Sequence, residues 1–317
     1  MKILILRFSS IGDIVLTTPV LRCLKNQLPE AEIHYCTKIN FKSIVENNPY
    51  LSKIFYYDKN LSETITALKN ENYDLVIDLH NNLRTMIIKL RLGVESRSFK
   101  KLNFKKWLLV KWKINRMNNS HVVDRYMDTV AHLGIENDHQ GLDYFIPSKD
   151  DVKLADFPTI FSQGYYAYAI GGQHYTKKLP LPKMIALCKQ ITQPLVLLGG
   201  KEDAANAQAI IAACGTQNIV NACGQYNLNQ SASIIRQASK VISHDTGLMH
   251  IAAAFKKEII AIWGNTVPAL GFAPYQTPFT VIENNHLNCR PCSKIGFSAC
   301  PKGHFKCMVD LDFSSIK

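Results

Sequence analysis

An α/β protein of two Rossmann-like, doubly wound domains facing a cleft is what the sequence predicts, on three observations. Strand-length apolar runs such as Leu75-Val76-Ile77 and Leu195-Val196-Leu197-Leu198 alternate with helix-length amphipathic stretches, the signature of a parallel sheet. The alternation pauses near Pro147 and restarts beyond it, so it occurs twice in 317 residues, a length that holds two domains of ordinary size. Polar turns bearing glycine, hydroxyl and acid follow strands in both halves, where open α/β sheets bind their ligands.

In order along the chain, a buried strand at 3–6 leads through a polar loop with Gly12 into a helix whose apolar face carries Leu16, Val20 and Leu24, ending near 27. A strand at 31–36, a helix at 41–47, a helix at 63–70 and a strand at 74–79 follow. The second half sets strands at 166–170, 195–198, 219–220 and 241–243 around helices at 181–190, 204–213 and 231–238, with 258–263 a further strand-length run. The polar, proline-containing stretch 147–158 separates the halves, giving domains 1–155 and 156–317. No internal repeat or low-complexity tract interrupts them.

A hydrophobic content of 47% with 20% charged residues suits packed cores rather than disorder. No apolar run approaches the roughly 20 residues of a membrane span, and the first one stops at Arg7 without a cleavage site, so a soluble cytoplasmic chain is expected. The net charge of +12 is uneven: 84–116 holds 11 Lys/Arg against the single acid Glu95. Phe99, Leu102, Phe104, Trp107, Leu108, Leu109, Val110 and Trp112 interleave with those cations. An amphipathic helix resting on an anionic membrane surface has this composition. Nucleic acid would also be attracted, and a solvated basic face is the plainer reading; the cluster as a whole favours an anionic partner.

The stretch Ser243-His244-Asp245-Thr246-Gly247-Leu248-Met249-His250 turns from strand to helix and has the makings of an anion site. The unpaired N–H groups of the first helical turn face outward with the positive end of the dipole behind them. Thr246 adds a hydroxyl, Gly247 has no Cβ to hold a phosphate away, and His250 lies one turn on. Against this, Asp245 or Thr246 serves as a simple helix cap elsewhere, and His250 as a core histidine. Asp13, in the loop after the first strand, suits a general base that activates a hydroxyl. Lys177 and Lys178 precede a helix starting near Pro180 and can neutralise a leaving diphosphate, or be ordinary surface charge. In Leu198-Gly199-Gly200-Lys201-Glu202-Asp203 the glycines allow close approach and Glu202 can accept from ribose hydroxyls. Trp263-Gly264-Asn265-Thr266 repeats the layout as a rim of the same pocket.

Together these motifs resemble glycosyltransferase family 9, the lipopolysaccharide heptosyltransferases, over nearly the full chain. The likeness rests on Arg7-Phe8-Ser9-Ser10-Ile11-Gly12-Asp13 with Thr18-Pro19, on Asp78-Leu79-His80-Asn81-Asn82-Leu83-Arg84, on Lys177-Lys178-Leu179-Pro180, and on Asp245-Thr246-Gly247 through His250 to Gly264. The resemblance implies a GT-B fold with an acceptor-binding domain followed by a nucleotide-sugar-binding one. It implies inverting transfer from ADP-heptose to a lipopolysaccharide core or lipid A acceptor, no cofactor or metal for catalysis, and a peripheral place at the inner face of the inner membrane. Asp13 matches the family's base. Lys177 matches the lysine of its Lys-x-Trp-Pro pattern, with Leu179 where the family has tryptophan. Asp245, Thr246, Gly247 and His250 match the donor loop, and Glu202 the acid that holds the ribose. A sugar-nucleotide epimerase of similar fold and a non-catalytic glycolipid-binding module are the alternatives; the second leaves Asp13 and Lys177 without a task.

The tail, 286–310, is cysteine-rich. Its Cys289-x2-Cys292-x7-Cys300-x6-Cys307 spacing offers four ligands for a structural zinc, or four reduced thiols. Similar tails occur in some members of the family, which often continues with a terminal helix.

Overall fold

The structure, a computed structural model, describes residues 1–317 except 119, 216, 315 and 317. It divides into two compact units: Met1–Lys101 with Ser120–Phe145, and Leu102–Asn119 with Ile146–Lys317. The first is built on a parallel sheet of β1 (Lys2–Leu6), β2 (Glu32–Lys38), β3 (Lys53–Tyr57), β4 (Leu75–Asp78) and β5 (Glu95–Ser98), in the order β3-β2-β1-β4-β5. Central β1 is apolar from Ile3 to Leu6 because both of its faces are covered, and all four side chains are fully buried. Leu4, Leu6, Phe8, Val76, Leu68 and Ile88 join one core under the helices Leu61–Lys69 and Leu83–Leu92. The chain winds outward from β1 to one side through β2 and to the other through β4, so the loops after β1 and β4 flank the switch point of the sheet.

The second unit repeats the plan with six parallel strands: β6 (Tyr166–Ala169), β7 (Leu195–Leu198), β8 (Ile219–Asn221), β9 (Lys240–His244), β10 (Glu258–Trp263) and β11 (Phe279–Glu283). Their order is β11-β10-β9-β6-β7-β8. The switch point here falls between β6 and β9. Helix Leu181–Gln190 starts with Pro182 in its first turn, where a missing N–H costs nothing.

Two doubly wound α/β sheets were expected and are present. Strands β3, β5 and β11 were not expected. β5 reads Glu-Ser-Arg-Ser and is exposed throughout, an edge strand with no apolar signal, while β3 and β11 each form the opposite edge of their sheet. The basic segment 84–116 is not one amphipathic helix. Helix Leu83–Leu92 is capped by the reciprocal Asn82–Thr85 pair and stopped by Gly93 in the left-handed region, φ +70°. β5 follows, and helix Asn103–Trp112 groups with the second unit. Leu109 and Met117 pack there against Leu270, and the Lys106 ammonium is buried 4.9 Å from the Phe272 ring centre. No helix among the described residues is long and apolar enough to cross a membrane.

Candidate functional site

In the first unit the chain leaves β1 at Arg7, whose buried guanidinium organises the loop. It donates to the carbonyls of Ser9 (2.7 Å) and Leu79, donates to the Tyr126 hydroxyl (2.8 Å), and pairs with Asp13 Oδ1 at 2.7 Å. The other Asp13 oxygen accepts from Ser10 Oγ (2.8 Å) and from its backbone N–H (3.2 Å), a capping box on the short helix Ile11–Val15. Burial works against the Arg7 charge, but the facing Asp13 carboxylate, Tyr126 and Tyr35 together hold the guanidinium above its ordinary range. Asp13 is therefore fixed from two sides and still 23% exposed, so a substrate can reach it.

The loop after β4 stands across the switch point. Buried Asp78 accepts from the N–H groups of His80 (3.0 Å) and Asn81 (2.6 Å) and pairs with Lys89 (2.9 Å), which sets the 78–84 turn. His80 packs its ring 5.3 Å from Phe8, and burial pushes its pKa down to about 4. It is a neutral imidazole at physiological pH.

In the second unit three loops meet at the carboxyl ends of β6, β7 and β9. β9 ends at His244, fully buried, whose Nε2 accepts from the Leu179 N–H (3.1 Å); burial pushes its pKa down to about 3. Next, Asp245 Oδ2 receives the Lys177 ammonium at 2.6 Å and the Thr266 hydroxyl at 2.8 Å, and Lys177 also donates to the Asp245 carbonyl (3.1 Å). Thr246 is the extended N-cap of helix Gly247–Ala254, with its hydroxyl 3.4 Å from that of Ser243. A Cβ on Gly172 would lie 3.0 Å from Thr246 Cγ2, so the loop after β6 needs glycine to approach this helix start. His250 is buried in the second turn. Exposed Glu202 lies in the loop after β7, folded back over Gly200, and its neighbour Asp203 is buried between Lys178 (3.1 Å) and the Gly200 N–H (3.1 Å).

The structure thus brings Lys177, Asp245, Thr246 and Gly247 into one cluster, with His250 a turn below and Glu202 on the neighbouring loop; Asp13 belongs to the first unit. The arrangement presents a helix N-terminus, a hydroxyl and a lysine to one place, the donor set a diphosphate needs. Sequence reasoning missed Thr266 as the second partner of Asp245, Arg7 as the holder of Asp13, and Asp203 as the partner of Lys178. Arg290 was also missed. Its guanidinium pins the loop after β10 through the carbonyls of Gly264 and Thr266 (2.9 Å) and is balanced by Glu283 (2.8 Å). Apart from Arg7, which lies in the same loop as Asp13, these residues gain their meaning from contacts between distant segments.

The zinc expectation for the cysteine tail finds no support in the structure. Among the described residues no group of three or more His, Cys, Asp or Glu is placed to hold a metal ion. Cys307 faces the hydrophobic core with Met308, Leu311 and Phe313, and burial raises its thiol to about 12. Cys292 donates to the Cys289 carbonyl (3.0 Å) and is raised to about 11, again by burial. A structural zinc therefore finds no support among the described residues.

Residues 62–301 match the family model described as glycosyltransferase family 9 (heptosyltransferase). Lipopolysaccharide heptosyltransferase 1 of Campylobacter coli is 24% identical over 296 residues, 84% of each chain. Among solved structures, the glycosyl transferase family 9 protein of Veillonella parvula superposes with a TM-score of 0.73 at 21% identity, covering 88% of this chain and 85% of that one. The E. coli heptosyltransferase WaaC with ADP-2-deoxy-2-fluoro heptose does so with a TM-score of 0.66 at 20% identity, covering 89% and 92%.

Proposed function

The chain belongs to glycosyltransferase family 9, and from that premise we propose that it transfers heptose from ADP-heptose to a hydroxyl of a lipopolysaccharide core acceptor, with inversion at the anomeric carbon. The observation that carries the reading is the Lys177–Asp245 ion pair at the start of helix Gly247–Ala254, beside Thr246. In this mechanism Asp13 takes the proton of the acceptor hydroxyl as its oxygen forms a bond to the anomeric carbon. The bond from that carbon to the diphosphate oxygen breaks in the same displacement, and ADP leaves with the electron pair. Negative charge grows on the departing diphosphate, where the Gly247 amide, the helix dipole, Thr246 and Lys177 stabilise it more in the transition state than in the ground state. Glu202 accepts from the ribose hydroxyls. Asp245 orients Lys177, and Thr266 orients Asp245. No step is routed through a metal.

The donor is supported by what the similar E. coli protein holds, an ADP-heptose analogue. The acceptor is supported by the lipopolysaccharide named for the Campylobacter relative. With a lipid-linked acceptor of that kind, the proposed place of the enzyme is the inner face of the inner membrane. A thermal-shift panel of ADP-, GDP- and UDP-sugars tests the donor. A ligand at 100 times its Kd stabilises the fold by about 2.7 kcal/mol, and ADP-heptose is expected to do this alone among the three classes. Equal stabilisation by a GDP- or UDP-sugar overturns the assignment.

A further inference from the structure

We propose that the pocket between helix Asn103–Trp112 and the cysteine tail of the second unit seats the phosphate headgroup of an anionic phospholipid, with the exposed tryptophans of that helix lying in the bilayer interface. The pocket, about 520 Å³, is lined by Lys111, Lys113 and Lys302 with Asn288, Cys289 and Pro301. Between 100 and 116 there are seven Lys/Arg and no Asp or Glu. Lys113 is the rear wall: its ammonium donates to the carbonyls of Val110 (2.7 Å), Cys289 (3.1 Å) and Pro291 (2.6 Å), which ties the helix to the tail. That positive charge has three carbonyl dipoles around it and no carboxylate partner among the described residues. Lys111 and Lys302 are exposed and form no ion pair among the described residues. An anion is the missing partner.

The helix itself favours a bilayer over a dissolved anion. Phe104 is 69% exposed, Trp107 50%, Trp112 61% and Ile114 46%, and the Phe104 and Trp107 rings stack at 5.9 Å. Spaced three and four apart, Phe104, Trp107 and Lys111 share one side of the helix. Four large apolar groups held in water beside free lysines make a poor solvated face. The same set suits the headgroup region, where aromatic rings and lysine ammoniums are both satisfied. The proposal names the surface through which the membrane part of the reading above would operate. Its test needs no sugar acceptor, so its failure would leave the transfer reading intact.

The chain has three tryptophans, and Trp263 is only 1% exposed, so a change in emission on adding vesicles reports on Trp107 and Trp112. The full-length protein is titrated with phosphatidylcholine vesicles with and without phosphatidylglycerol. A blue shift confined to the phosphatidylglycerol vesicles is expected, and it should vanish in W107F/W112F. At about fivefold per lysine near an anionic surface, K111E/K302E should weaken partitioning by at least about 25-fold while its melting temperature and its shift with ADP stay those of the parent. No shift, or an equal shift with phosphatidylcholine alone, overturns the proposal. Competition by inorganic phosphate at matched phosphate concentration overturns the lipid source. A lysine-dependent shift with a single-stranded RNA oligonucleotide that exceeds the vesicle response overturns the choice of a membrane.

Discussion

Asp13 in the first unit and Asp245 in the second occupy comparable places, each where the chain passes from a strand at its sheet's switch point into a helix, and each is paired with a basic side chain from the same unit. Their surroundings differ. Asp13 divides its oxygens between Arg7 and Ser10 and keeps 23% of its side chain exposed. Asp245 concentrates Lys177 and Thr266 on one oxygen, with 9% of its side chain exposed. Their bases differ in the same sense: Arg7 is buried and bound to two carbonyls and a phenol, whereas Lys177 keeps 17% exposure and, among the described residues, only Asp245 as partner. A group that exchanges a proton with substrate must be open while its holder is locked. A group that positions a cation for substrate must be locked while the cation is open. On this argument we propose Asp13 as the catalytic residue of its pair and Lys177 as that of the other.

Substitutions can break that comparison. The largest effect is expected from Asp13→Asn, which keeps the volume and removes the base: turnover should fall by about 10²–10⁴ while calorimetric donor affinity is kept. Lys177→Ala should lower kcat/KM by about 10²-fold with donor affinity and turnover both affected, since the lysine meets the diphosphate before and during departure. Should Lys178→Ala produce that pattern instead, the Asp203 pair and not the Asp245 pair faces the donor. Glu202→Gln should raise donor KM by roughly tenfold at nearly unchanged kcat, as loss of one charge-assisted hydrogen bond to ribose would. Thr266→Val should cost only about fivefold, one hydrogen bond on Asp245, and the loss should disappear in a Lys177→Ala background if Thr266 acts only through that lysine.

A stability measurement sharpens the contrast between ion-paired and neutral groups. His80 and His244 are pushed by burial to about 4 and about 3, so both are neutral in the fold while an unfolded histidine takes up a proton near 6.5. The unfolded chain then binds more protons below that value. Their contribution is fully present above pH 6.5 and is lost as pH falls toward 4 and 3. Melting temperature should decline steadily from pH 7 to pH 4, and His244→Gln should flatten part of that slope; a melting temperature independent of pH across this window contradicts the burial argument.

What was legible in the sequence follows from which signals are local. Leu181–Gln190 and Leu195–Leu198 have the bounds that periodicity predicts, because a proline start and a continuous apolar run are local features. β5, with four exposed polar residues, carries no such signal and exists through pairing with β4. The site divides the same way. Asp245, Thr246 and Gly247 stand out as a strand-to-helix turn, but that Thr266 meets Asp245 from 21 residues away is a property of the sheet order β10-β9-β6. Lys106 looks like surface charge in a basic run and is buried against Phe272. The cysteine spacing suggested a metal that the packing of Cys307 into the core does not support.

Nucleotide release separates transfer from the rival chemistries most directly. The protein is mixed with ADP-heptose, with and without a heptose-free lipopolysaccharide core, and free ADP is followed over time. The account predicts ADP released in step with heptose appearing on the core, and essentially none without acceptor; ADP released equally in its absence, or no release with it, would contradict the assignment.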